Sequence, residues 1–181
     1  AYDEFLFDRT FEVLQKGTSP QFIFALTTTN HTPFSLPESY IPYPIQMTES
    51  IISKLRTNQN IAQKNFTNYQ YANDCLGRFI EKVRNSPLGE NTIIAASGDH
   101  NTLQLFSFSD QQLLDKYSVP FILYIPEKYQ PKKSVNTEIF GSHKDIFPTL
   151  FNLSLSEANY LKTGVNLLDE NNDKNFGIIN F

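Results

Sequence analysis

Three histidines occur in this chain, and each sits in a short segment whose residue types suit a metal or phosphate site. The segments read Thr29-Asn30-His31-Thr32-Pro33-Phe34, Ser97-Gly98-Asp99-His100-Asn101 and Gly141-Ser142-His143-Lys144-Asp145. Asp99 and His100 set a carboxylate beside an imidazole, a donor pair suited to Zn²⁺ or Mn²⁺. They follow the apolar run Thr92-Ile93-Ile94-Ala95-Ala96, which reads as a buried strand delivering ligands at its carboxyl end. Neighbours on a regular strand point to opposite faces, so both side chains can reach one ion only past the strand end. Gly98 is the residue expected to let the backbone leave the strand there. An isolated Asp-His pair also fits a capping Asp beside an idle surface His. His31 follows a second apolar run and can contact a substrate oxyanion, ligate a metal or cap a turn. Ser142 is of the N-cap type, which places His143 in a first helical turn. The helix dipole there disfavours imidazolium and leaves the neutral imidazole that metal binding requires. The same position fits a helix-start His with no task. If the segments converge, they form part of a metal-dependent site for a phosphate or sulfate ester.

The elements that must position these residues alternate between helix and strand. Asp3 to Lys16 reads as a helix, with Asp3 as its cap, Phe7, Phe11 and Leu14 at helical spacing, and Gly17 as its stop. Phe22-Ile23-Phe24-Ala25-Leu26 reads as a buried strand. Pro33, Pro37, Pro42 and Pro44 make residues 32–48 an extended surface loop directly after His31. A long helix is expected over 63–84, with Ala72, Leu76, Phe79, Ile80 and Val83 in one apolar stripe. Further on come a strand over 92–96, a short helix over 111–116, a strand over 119–125, a helix over 144–152 despite Pro148, and a closing strand over 176–181. Strands alternating with helices imply an α/β layer with a largely parallel sheet flanked by helices.

Composition narrows the function classes. The 181 residues fit one domain or a piece of a larger one, and a chain this long hides roughly 70% of its unfolded surface. Net charge is −4 with no basic block, which argues against a nucleic-acid surface. The 16 Phe and 9 Tyr read as core rather than a base-stacking platform. The single cysteine, Cys75, excludes an intrachain disulfide and reads as a structural thiol, with no cationic neighbour in sequence to activate it. No apolar run approaches the ~20 residues of a membrane helix. The abrupt helical opening at Ala1-Tyr2-Asp3 reads as a boundary inside a larger protein.

Taken together, five stretches resemble the carboxyl-terminal half of the catalytic domain in the sulfatase and alkaline-phosphatase-like superfamily. They are Tyr2 to Phe7, Phe24 to Phe34, Tyr71 to Val83, Asn91 through Gly98-Asp99-His100, and Ser142 to Leu150. The resemblance is nearest to phosphoglycerol transferases of the lipoteichoic-acid-synthase type. Phosphoethanolamine transferases and true sulfatases are more distant versions.

The resemblance implies an alkaline-phosphatase-like fold, with residues 1–181 as the carboxyl-terminal part of the domain. It implies Asp99 and His100 as ligands for Mn or Zn, and His31 and His143 as groups contacting the substrate phosphate. It also implies an anionic phospholipid or another phosphate or sulfate ester as substrate, and a membrane anchor in a missing amino-terminal part. The catalytic domain would then face the periplasm or the exterior of a bacterial inner membrane. The family nucleophile is a Thr, or in sulfatases a modified Cys within Cys-x-Pro-Ser-Arg. Cys75-Leu76-Gly77-Arg78 is not that motif, so the nucleophile is expected to be absent and the fragment alone inactive. The rival reading from another class is a non-catalytic domain that keeps the fold for binding or structure.

Overall fold

The computed structural model describes residues 2–102 and 104–172. They divide into two compact units, Ala1–Asn91 with Gly98–Pro120, and Thr92–Ser97 with Phe121–Phe181. The expected closing strand over 176–181 lies outside the described residues.

The first unit is built on two helices, α1 (Asp3–Lys16) and α3 (Gln59–Arg84), with a short α2 (Glu49–Ile52) between them. The Asn58 side chain caps α3 by accepting from the Asn60 amide at 2.8 Å, so the helix begins four residues before the expected start. The fully buried face of α3 is Ala62, Asn65, Asn68, Tyr71, Cys75, Phe79 and Val83. Phe79 and Val83 belong to the expected stripe, whereas Ala72, Leu76 and Ile80 are only half-buried beside it. Phe7 of α1 stacks on Phe79 with ring centroids 5.0 Å apart. Lys82 lies 4.6 Å over the Phe11 ring and 2.7 Å from the Asp8 carboxylate, tying the two helices together at their rim.

Two readings of this unit are corrected. Asp3 does not cap α1: Tyr2 holds the N-cap position and Asp3 is the first helical residue, buried, with its carboxylate directed elsewhere. Phe22–Leu26 does not form a buried strand. The segment has no strand assignment, and Phe22, Phe24 and Leu26 are 70%, 76% and 68% exposed. Alternating apolar residues favour an extended backbone, but a strand exists only where a neighbour supplies the ladder. Residues 32–48 run as the expected loop, and Tyr40 docks it on α3. The Tyr40 hydroxyl donates to Asp74 at 2.6 Å, and its ring packs edge-on against Tyr71 at 4.9 Å. The short helical segment expected near 111–116 is a 3-10 turn, Asp110–Gln112, running into α4 (Leu113–Tyr117).

The second unit holds β1 (Ile94–Ser97), β2 (Phe121–Tyr124) and α5 (His143–Ser154). The two strands pair antiparallel in the register Ile94↔Tyr124 to Ser97↔Phe121. The α/β character holds, but the one sheet among the described residues is antiparallel and two-stranded, not parallel. Periodicity reveals that a segment is extended and apolar, not which way a long connection returns the chain. β1 is half-buried rather than buried, in keeping with a strand that has one neighbour.

Candidate functional site

The Asp99–His100 pair stands immediately beyond β1, as expected, and opens the returning segment of the first unit. Gly98 does not act through a left-handed backbone, since no glycine among the described residues has positive φ. A Cβ there would come within 3.1 Å of the Val119 side chain, so it is close approach that calls for glycine. The His100 amide donates to Asp99 Oδ1 at 2.9 Å. His100 Nδ1 lies 3.0 Å from the Asn101 carbonyl. A carbonyl only accepts, so Nδ1 carries the proton and the lone pair of the neutral ring is on Nε2. Nε2 is 3.6 Å from Asp99 Oδ2, and both side chains are largely exposed, 76% and 81%. Asn101 fastens the pair's far side by donating to the Asp115 carbonyl at 2.9 Å.

His31 lies on an exposed turn of the same unit. Its amide donates to the Thr28 carbonyl at 3.2 Å, and its Nδ1 sits 2.9 Å from the Thr32 carbonyl. The two histidines therefore share one device. Each commits Nδ1–H to the carbonyl of the following residue, which leaves Nε2 as the ring nitrogen available to a ligand. That is the second contact by which a protein orients an imidazole for a metal or an anion. The turn is held from beneath by Asp3, whose Oδ1 accepts from the Thr28 and Thr29 amides at 3.2 and 3.1 Å. Sequence reasoning read Asp3 as a cap and missed this role. An acid at a helix start is the only signal it left.

His143 is the first residue of α5, in the second unit. The Ser142 amide and hydroxyl both donate to Asp145 Oδ2, at 2.8 and 3.3 Å, so the expected capping is present. Asp145 is fully buried, and its Oδ1 accepts from the Val165 amide at 2.8 Å. Thr149, also buried, accepts from the Leu167 amide at 2.9 Å. Gly164 passes close under the helix, where a Cβ would be 2.3 Å from the Lys144 carbonyl. Pro148 has no amide proton to offer that carbonyl, which leaves room for the approach.

Cys75 has a cationic neighbour after all. The Arg78 guanidinium donates to its sulfur at 3.4 Å, a partner three residues on along the same helix face. Hydrogen bonding to Cys75 is the main influence raising Arg78. The thiol stays buried at 2% exposure, in line with a structural role. Burial first, then the bond to Asp74, raises the Tyr40 phenol well above its ordinary 10.0. Burial also raises Tyr71, beside Cys75.

The described residues contain no group of three or more His, Cys, Asp and Glu placed to hold a metal ion. Asp99 and His100 fit a divalent metal as a donor pair, carboxylate plus neutral imidazole, but His31 does not complete a ligand set with them. A shallow groove of about 190 Å³ in the first unit is lined by Phe34, Leu36, Gln63, Lys64, Thr67 and Asn68, and contains none of the candidate residues.

The profile of the sulfatase family matches residues 1–154. The chain belongs to the sulfatase family. It is 25% identical over 183 aligned residues to lipoteichoic acid synthase 1 of Bacillus subtilis, an alignment covering 94% of this chain and 27% of that protein. Against the lipoteichoic acid synthase of Staphylococcus aureus, identity is 24%, covering 95% of this chain and 26% of that one. Two solved structures share the fold at TM-score 0.66. The lipoteichoic acid synthase LtaP of Listeria monocytogenes is 21% identical, and 92% of this chain covers 42% of it. An alkaline phosphatase superfamily protein of Vibrio parahaemolyticus is 25% identical, and 93% of this chain covers 37% of it. The chain thus spans about a quarter of the length of its curated relatives, and the expected alkaline-phosphatase-like class holds for a partial domain. No helix among the described residues is long and apolar enough to cross a membrane.

Proposed function

We propose that this chain is the carboxyl-terminal part of the catalytic domain of a metal-dependent phosphoglycerol transferase. The intact enzyme would move a glycerol phosphate group from the head group of an anionic phospholipid to an acceptor hydroxyl. The observation that carries the reading is the Asp99–His100 pair, with Nδ1–H of His100 committed to the Asn101 carbonyl and Nε2 left 3.6 Å from the Asp99 carboxylate, in a sulfatase-family chain similar along most of its length to lipoteichoic acid synthases.

Asp99 and His100 would hold a divalent metal, Mn or Zn. When bound, such an ion lowers the pKa of a ligating hydroxyl and neutralises charge on phosphoryl oxygens. This chain's own part is to present the two donors and to bind the phosphate. With Nδ1–H committed to the Thr32 carbonyl, His31 can meet a phosphoryl oxygen only through Nε2. Its contribution is electrostatic, on charge that spreads over the equatorial oxygens. His143 is assigned a contact with a substrate phosphate. The nucleophile would be a Thr outside this sequence. Its oxygen attacks phosphorus, the bond to the diacylglycerol oxygen breaks, and that oxygen leaves with a proton. The acceptor hydroxyl then takes the group from the Thr. A membrane anchor in the remaining polypeptide would hold the domain on the outer face of a bacterial inner membrane.

The test is turnover of phosphatidylglycerol vesicles by the intact enzyme with Mn²⁺ or Zn²⁺. Asp99→Ala and His100→Ala should each lower it by more than ~10²-fold, the upper range for losing a group that only supports a ligand. Full activity in both variants refutes the assignment. Metal-dependent hydrolysis of a nitrophenyl sulfate with no action on the lipid would favour a sulfatase instead.

A further inference from the structure

We propose that Asp3 is a positioning residue for His31, its buried carboxylate clamping the Thr28–Thr29 turn and so fixing where the imidazole stands. The inference rests on the reading of His31 as a phosphate-contacting group.

Four hydrogen bonds make the clamp. Asp3 Oδ1 accepts from the Thr28 amide at 3.2 Å, the Thr29 amide at 3.1 Å and the Thr29 hydroxyl at 2.7 Å. The Thr29 hydroxyl oxygen accepts in turn from the Asp3 amide at 3.0 Å. Asp3 is 1% exposed and Thr29 7%, so the ring of bonds is shielded from water. The His31 amide donates to the Thr28 carbonyl, so the peptide that anchors His31 belongs to the turn that Asp3 holds. The other end of the lever is stiff, because α1 is fixed to α3 by the Phe7–Phe79 stack and the Lys82–Asp8 pair.

The arrangement is not what a helix start needs. An acid serving its own helix bonds the next amides and stays in water. Asp3 instead spends one oxygen on a segment 25 and 26 residues away. Its other oxygen, Oδ2, is buried with no hydrogen-bond partner among the described residues, an unfavourable state for a carboxylate. What this burial secures is a charge-assisted hold on two consecutive amides just before His31.

The test uses the intact enzyme with phosphatidylglycerol vesicles and Mn²⁺, and reads the His31 ring nitrogens by NMR after ¹⁵N-histidine labelling. Asp3→Ala should lower kcat/KM by about 10²-fold, the scale of a ~1 Å misplacement. Asp3→Asn, which keeps an acceptor at Oδ1, should recover most of the loss. In a His31→Ala background, Asp3→Ala should cost little more, because it acts through the group already removed. The His31 ring signals should move in Asp3→Ala from the Nδ1–H pattern towards averaged tautomers, while those of His143 stay in place. Multiplicative losses in the double variant, or unchanged kcat/KM and His31 signals in Asp3→Ala, overturn the proposal. If the wild-type enzyme does not turn over the lipid, the functional reading falls, and the His31 signals alone decide the role of Asp3. If Asp3→Ala does not fold, Thr29→Val, which keeps both amide bonds, should show the same two changes to a smaller degree. No change in that variant overturns the proposal as well.

Discussion

At the scale of single residues, the candidate site depends on hydrogen bonds that choose a tautomer. His31 and His100 each give Nδ1–H to the next residue's carbonyl, so one polar atom of each ring remains for a ligand. Asp145 shows how much a single buried carboxylate can organise. It caps α5 through Ser142 and draws in the Val165 amide, so Asp145→Ala should cost about 3 kcal/mol in urea denaturation, the range for charged hydrogen bonds lost in the interior. Asp145→Asn, which keeps one acceptor, should cost less. Tyr40 predicts a pH effect. Its phenol is raised above 10.0 by burial and the Asp74 bond, so the folded chain holds that proton longer than the unfolded one. Its contribution is fully present below pH 10 and is lost as pH rises through the folded value. Stability measured across the alkaline side of pH 10 should fall, and less steeply in Tyr40→Phe. An equal slope in both would show that Tyr40 is not the group responsible.

At the scale of elements, α3 is the part of the first unit on which the rest is hung. It packs α1 through Phe79, holds the loop after His31 through Asp74 and Gln70, and buries Val83 completely. Phe79→Ala should destabilise by about 4 kcal/mol, the usual cost of emptying a Phe site in a core. Phe24 makes the contrast. It is 76% exposed, so Phe24→Ser should change stability by no more than about 0.5 kcal/mol. The pair of measurements separates the observed structure from the buried strand that the pattern at 22–26 suggests. A cost of several kcal/mol for Phe24→Ser would restore the strand.

At the scale of the whole molecule, the proposed donor set is short. The two proposed ligands, Asp99 and His100, are fewer than the three or four a tight Zn²⁺ or Mn²⁺ site uses, and the described residues hold no larger cluster, so calorimetry on this chain alone should find no sub-micromolar binding. The chain alone should also show no turnover of a nitrophenyl phosphodiester above background. Site effects without a nucleophile leave only ~10³–10⁴ over water even in a complete enzyme. Sub-micromolar binding abolished by Asp99→Ala would mean that the ligand set is complete within these residues.

Sequence alone determined the local features of this protein. Helix periodicity with a stop at Gly17, Ser142 ahead of His143, and the proline density of 32–48 all act within a few residues, and each was legible there. So was the family, because the Gly98-Asp99-His100 run and its flanking segments are themselves sequence. Tertiary structure decided whatever depends on a partner distant in the chain. Asp3 reads as a cap until Thr28 and Thr29 arrive beneath it, and Phe22–Leu26 reads as a strand until no ladder forms. β1 and β2 are recognisable singly, but their antiparallel register is a property of the pair. The physical reason is the same in each case. Hydrogen-bond donors and ladder neighbours contributed from 24 or more residues away leave no periodic mark on the segment that receives them, and only the folded chain brings them into contact.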